Sequence, residues 1–152
     1  MYKDTITLFN RDAANQLWYP TVMRNVDVNA DRGAIMASYG ANATDNAKLH
    51  VRYQLSDAGF KVGQKTYLEP LEFAASTDKA NHFTFAFGQE NGDLAFDFFM
   101  VGDYGSEAVI SDDAYDDYDG FYNFMNATKD RVYMVSSCAI YSVIPHFEVL
   151  AK

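Results

Sequence analysis

Asp130-Arg131-Val132-Tyr133-Met134-Val135-Ser136-Ser137-Cys138-Ala139-Ile140-Tyr141-Ser142-Val143-Ile144-Pro145-His146-Phe147-Glu148-Val149-Leu150 decides the fold class. The run is apolar, β-branched and aromatic, and it contains no Gly. In steps of two, Val132, Met134, Cys138, Ile140 and Ile144 fall on one face, and Tyr133, Val135, Ala139, Tyr141 and Val143 on the other. Both faces are mostly apolar, which predicts a central strand covered on both sides. Ser136-Ser137 predicts a bend or bulge within it. Pro145 has no N–H to give a ladder, so the ladder must stop, shift or lie at an edge there, and a short second strand follows from His146 to Leu150.

Outward from this run, the clearest patterns are also β. Thr5–Phe9 and Trp18–Val28 predict an antiparallel pair joined across the polar stretch Asn10–Gln16. Leu49, Val51 and Tyr53 alternate with Lys48, His50 and Arg52, as a half-solvated strand does. Phe83-Thr84-Phe85-Ala86-Phe87 and Leu94–Val101, separated by an Asn91-Gly92 loop, predict a hairpin. Ala34–Tyr39 reads as one or two helical turns or an irregular strand, and Gly40–Asp45 as a loop. Glu72–Asn81 is ambiguous, with room for a helical turn at Ala74-Ala75-Ser76. One helix is predicted from about Ser111 to Thr128, with Ser111 as N-cap and Asp112 and Asp113 at the positive end of its dipole. Gly120 weakens its middle, so Gly120-Phe121 starts the better-formed half. These elements predict one domain over 1–152, mainly β: a compact antiparallel β-barrel or sandwich with one α-helix near 111–128. The alternative is an α+β open sheet with the helix on one face.

Composition narrows function mainly by exclusion. The chain has 152 residues, enough to bury a core without staples. Its formal net charge of -9 argues against a free-standing nucleic-acid binder and against docking on anionic lipid. No apolar run approaches the roughly 20 residues that span a bilayer, and no targeting segment is visible. The chain therefore reads as a soluble cytoplasmic product. The one cysteine, Cys138, sits in the apolar run and reads as a structural thiol.

No set of residues carries a reaction. Asp112, Asp113, Asp116, Asp117 and Asp119 suggest calcium, but with Gly120 at position six of a calcium loop Tyr115 falls at one and Asn126 at twelve. Both ends fail, and a solvated helix start remains. His50, His82 and His146 have no metal-ligand spacing, Gly88–Gly92 is not a phosphate loop, and Ser136-Ser137 lacks the glycines of a nucleophile elbow. The expectation is a non-enzyme with no metal and no cofactor. Twelve Phe and eleven Tyr are either a barrel core or, in part, the lining of a ligand cavity or a subunit contact.

Thr5-Ile6-Thr7-Leu8-Phe9-Asn10, Trp18-Tyr19-Pro20-Thr21-Val22, Tyr39-Gly40-Ala41 with Asp45-Asn46-Ala47, Phe121-Tyr122-Asn123-Phe124-Met125-Asn126 and Val143-Ile144-Pro145-His146-Phe147-Glu148 occur in this order over most of the chain. In these stretches it resembles a family of small proteins of tailed phages and prophages from the head–tail morphogenesis region. The resemblance implies a connector, stopper or minor structural protein, acting as a ring-forming homo-oligomer with neighbouring virion proteins as partners. It places the chain in the host cytoplasm during assembly and then in the virion, and supplies no catalytic residue. The competing reading is a small-molecule-binding β-barrel with an aromatic-lined cavity. For protein contacts the candidates are Leu17, Trp18 and Tyr19, beside an edge strand, with Tyr115 and Tyr118 from the acidic Tyr-rich stretch. Against that, Trp18 reads equally well as core.

Overall fold

The computed structural model describes residues 2–30, 46–87, 89–90, 93–94 and 96–152. The expectations for Ala34–Tyr39, for Gly40–Asp45 and for the turn residues Asn91 and Gly92 lie outside them. In chain order the strands are β1 (Asp4–Asp12), β2 (Leu17–Asn29), β3 (Ala47–Arg52), β4 (Gln54–Ser56), β5 (Gly59–Val62), β6 (Lys65–Tyr67), β7 (His82–Phe83), β8 (Gln89–Glu90), β9 (Asp93–Leu94), β10 (Phe98–Val101), β11 (Ile110–Ser111), β12 (Val132–Tyr141) and β13 (His146–Ala151). Among the described residues two α-helices, α1 (Pro70–Ala75) and α2 (Phe121–Thr128), interrupt them.

Six strands close an antiparallel barrel in the order β1-β10-β12-β13-β3-β2, with β2 pairing back onto β1. Closure needs β2 to serve two neighbours. Its first part pairs with β1, and Asp27–Asn29 pair with β3. The hand-over falls at Asn25, whose φ of 58° lies in the left-handed region that Asn tolerates. The register shifts there, Asp4 facing Val26 and Thr5 facing Arg24, so Asn25 is the extra residue of a bulge that bends β2 round the corner.

The predicted bulge in the C-terminal run is present: the β12–β13 register shifts between Val135 and Ser137. Pro145 ends the turn, and β13 starts at His146. The two-sided burial of that run is corrected. Val132 and Val135 are buried and Cys138 half-buried, but Ala139, Ile140 and Tyr141 are exposed. The apolar pattern exceeds the cover available, because β10 reaches β12 only at Val132–Met134.

The barrel interior is filled. Ile6, Leu8, Leu49, Phe99, Val135 and Val149, from five of the strands, join one buried cluster with Met23 of β2. Phe147 is its hub, with Tyr67, Tyr53, Phe85 and Phe83 rings at 4.9, 5.0, 5.3 and 5.8 Å. Several of these rings come from the small sheet β4-β5-β6-β7 and the chain just after it, which pack onto the interior. The predicted hairpin of Phe83–Phe87 with Leu94–Val101 forms at its tip, where β8 and β9 pair antiparallel and Asp97 meets Ala86 in the same register, but not beyond it. β7 is two residues long and lies parallel to β6, and β10 pairs with β1 and β12 instead. Among the described residues the two runs are linked by the β8–β9 ladder, by Asp97 N–H to Ala86 O at 2.9 Å and by Ala86 N–H to Asp97 Oδ2 at 2.7 Å. Phe83 and Phe85 are drawn into the barrel core, which competes with ladder pairing and wins.

A second cluster lies on the outer face of the same sheet. Phe9, Trp18, Phe98 and Val132 pack against Phe121 and Met125 of α2. The predicted 111–128 helix is in two pieces. Asp112–Tyr118 is a 3-10 segment, Asp119 turns left-handed with φ 62°, and α2 starts after Gly120. Ser111 makes no side-chain capping bond. The Asp112 carboxylate instead accepts the Phe121 N–H at 2.9 Å, so an acid nine residues upstream caps α2. Gly120 permits this turn: its φ is 118°, and a Cβ there would lie 3.3 Å from both Asp112 carboxylate oxygens. Gly120→Ala is expected to cost about 1–3 kcal/mol, read from urea unfolding midpoints. A neutral result would mean that the turn relaxes at no cost.

Candidate functional site

The predicted contact residues divide between core and surface. β2 alternates, so Trp18 points one way and Leu17 and Tyr19 the other. Trp18 is 3% exposed, with Phe98 edge-on at 4.9 Å. Leu17 and Tyr19 are half-buried, and Tyr19 meets Phe73 of α1 edge-on. Tyr115 rests between Phe121 and Phe124, 5.0 and 4.7 Å away. Tyr118 is 45% exposed and meets the far side of the same group at Phe124. Trp18, Tyr115 and Tyr118 are thus linked through Phe121 and Phe124, while Leu17 and Tyr19 belong to another face.

The node that ties Trp18 down is ionic. Asp112 Oδ1 accepts the Trp18 indole N–H at 2.9 Å and lies 3.3 Å from Arg11 Nη1. The Arg11 guanidinium sits over the Trp18 ring, 5.1 Å from its centroid. Burial works against the Asp112 charge, but the Phe121 N–H, the Trp18 N–H and Arg11 outweigh it and hold the carboxyl below its ordinary value. Three elements meet on one carboxylate, which makes Asp112 an organising residue of the fold. Beside it lies a cleft of about 340 Å³ bordered by Phe96, Tyr122 and Asn123.

A larger cleft, about 590 Å³, runs past Arg24, Asn25, Gly63, Asp103, Ser106 and Glu107. Its charged groups are already engaged. Arg24 donates to Asp103 at 2.6 Å. Glu107 accepts the Val22 N–H at 2.9 Å and faces Lys65 at 3.8 Å. Lys65 itself donates to Pro20 O and Thr21 Oγ1, each at 2.8 Å. A ligand entering there would have to displace these partners first.

His50, His146 and Glu148 converge on the outer barrel wall because His50 faces Glu148 across the β3–β13 ladder. The two His Nε2 atoms lie 3.8 and 4.0 Å from Glu148 Oε2. Lys48 stands at 3.1 Å on the other oxygen. Burial holds His50 below its ordinary value, against the pull of Glu148. Sequence spacing could not find this group, since its members meet only through strand register. Among the described residues, no group of three or more His, Cys, Asp or Glu is arranged to hold a metal ion. Burial pushes the Cys138 thiol up to about 12, so it is not a thiolate nucleophile near neutral pH.

The surface that sequence reasoning missed is the β12–β13 hairpin. Ile140 is 37% exposed, Tyr141 46%, Val143 96% and Ile144 70%. The turn is held in place rather than splayed. The Tyr53 hydroxyl donates to Tyr141 O at 2.8 Å, the Tyr53 N–H to Pro145 O, and the Tyr141 ring stacks on His146 at 4.9 Å. The available signal was charge: no Asp, Glu, Lys, Arg or His occurs from 132 to 145. No helix among the described residues is long and apolar enough to cross a membrane. No family model, curated protein or solved structure matches the chain.

Proposed function

We propose that the chain is a non-enzymatic structural or assembly protein that works through contacts with other protein subunits. The resemblance to small tailed-phage and prophage proteins of the head–tail region gives this reading its context, a connector- or stopper-like component of a virion. The observation that carries it is where the apolar side chains go. The aromatics in the barrel pack ring against ring around Phe147, which takes up the space a ligand chamber would need. The apolar surplus lies outside, on a hairpin fixed by Tyr53. Exposed apolar groups on an ordered element are the mark of a protein contact. The competing small-molecule barrel needs the reverse distribution. Native mass spectrometry of the purified chain separates the two readings. Assembly predicts multiples of the 17.1 kDa subunit with no added small mass. A single copy carrying a stoichiometric small ligand would overturn it.

A further inference from the structure

We propose that two copies of the chain pair antiparallel, edge to edge, through β12 over Ser137–Tyr141. The inference rests on the assembly reading and names the contact that assembly would use.

β12 is ten residues long, yet β10 covers one of its edges only from Val132 to Met134. From Ser137 to Tyr141 the ladder partner among the described residues is β13 alone, on the other edge. Among the described residues, no strand lies beside that edge to take up its backbone donors and acceptors. Soluble proteins blunt such edges with Lys, Pro, inward charges or bulges. Here the bulge comes earlier, at Val135/Ser137, and Pro145 lies beyond the turn. The segment between them has no charge, and Ala139, Ile140 and Tyr141 are exposed along it. The segment itself carries none of these devices, and its exposed side chains favour cover.

Charge and symmetry select a second copy as the cover. The chain carries -9, so two copies repel over most of their surface. The stretch 132–145 is where they can meet without setting acid against acid. A basic partner would be drawn to the acidic 112–119 segment and has no charge to answer on β12. An antiparallel edge is also its own complement about a two-fold axis: if residue i meets j, then j meets i. With five residues free, the axis passes through Ala139. Ala139 then faces Ala139, Cys138 faces Ile140, and Ser137 faces Tyr141. The smallest side chain sits where two identical residues must share one place, and opposed Cβ atoms there lie about 4.5–5.5 Å apart.

Sedimentation velocity of the full chain over a dilution series, with two variants, tests this. The wild type is expected to associate reversibly into even-numbered species. Ile140→Lys sets a charge against each copy's edge and is expected to weaken association at least about a hundredfold. Val109→Lys, at a residue 46% exposed in another part of the surface, is expected to leave it unchanged. Ala139→Cys in a Cys138→Ala background is expected to form an intermolecular disulfide under mild oxidation, and Val109→Cys in the same background is not. Circular dichroism checks that each variant is folded, and the disulfide decides the matter if Ile140→Lys does not fold. Assemblies that survive Ile140→Lys, with no disulfide at 139, would overturn the β12 contact and leave the assembly reading standing. A wild type that stays a single copy at every dilution would overturn self-pairing itself.

Discussion

Trp18→Ala is expected to destabilise the domain by about 3–5 kcal/mol, the range for truncating a large buried aromatic. The ring is 3% exposed and closes one wall of the cluster formed by Phe9, Phe98 and Phe121. The aromatic neighbours are rings held in place, Phe98 edge-on at 4.9 Å and Phe121 tilted at 6.3 Å, and do not collapse into the space. The substitution also removes the indole N–H from Asp112 and the π face from Arg11, leaving that ion pair with less cover. Because the sole tryptophan is lost, urea unfolding should be followed by far-ultraviolet circular dichroism. Trp18→Phe keeps most of the packing but not the N–H, and should cost about 1–2 kcal/mol. A Trp18→Ala chain that stays as stable as wild type and loses only self-association would place the ring at an interface after all.

The same residue shows how far the sequence could be read. Alternation put Trp18 and Val22 on a strand paired with Thr5–Phe9, and the register bears this out. Strand chemistry is local, so a period of two is visible in the chain itself. Whether a face is covered is not local. Both faces of the C-terminal run looked core-like, and the first half of β12 meets that expectation, with α2 outside it and the barrel within. The second half does not, because β10 is only four residues long. Nothing within 132–145 encodes the length of a neighbour. Capping failed for a similar reason. Ser111 had the right chemistry and position, but a carboxylate with an indole, a guanidinium and a helix start in reach is a stronger organiser. The Gly120 break was legible because glycine is a poor helix former whatever surrounds it.

Asn10 and Asp97 were the least legible of all. The sequence placed Asn10 in a polar stretch and Asp97 within the predicted strand Leu94–Val101. Both are buried, in a polar node between β1, the chain after β7 and the chain before β10. Asp97 takes three N–H donors: Arg11 at 2.8 Å, Ala86 at 2.7 Å and Asn10 Nδ2 at 3.0 Å. Asn10 Nδ2 also donates to Thr84 O at 2.7 Å. A buried polar group costs little when satisfied, and a network of this kind fixes which strands may pair. It also explains why the hairpin does not continue past Ala86 and Asp97. The Ala86 N–H goes to the Asp97 carboxylate and the Thr84 backbone to the Asn10 side chain, which ends the ladder there.

The pH dependence of stability decides which force governs that node. Burial pushes the Asp97 carboxyl up to about 7, against three N–H donors that pull it down. A raised value in the folded state means that the native chain binds this proton more tightly than the unfolded one. Its contribution is therefore complete below the ordinary carboxyl range, near 4, and is lost as pH rises through 7. At roughly 1.4 kcal/mol per tenfold in proton affinity, the loss amounts to a few kcal/mol. Asp97→Asn cannot titrate. It also offers one acceptor oxygen instead of two, so one of the three donors loses its partner at a cost of about 1–3 kcal/mol. Urea unfolding of both chains at a series of pH values from 4.5 to 8 separates these contributions. The stability of wild type over Asp97→Asn should be largest at the acid end and shrink by a few kcal/mol towards pH 8, even reversing sign. A difference that stays flat across the series would mean that Asp97 is already ionised at the acid end, and that its three N–H donors outweigh the cost of burying the charge.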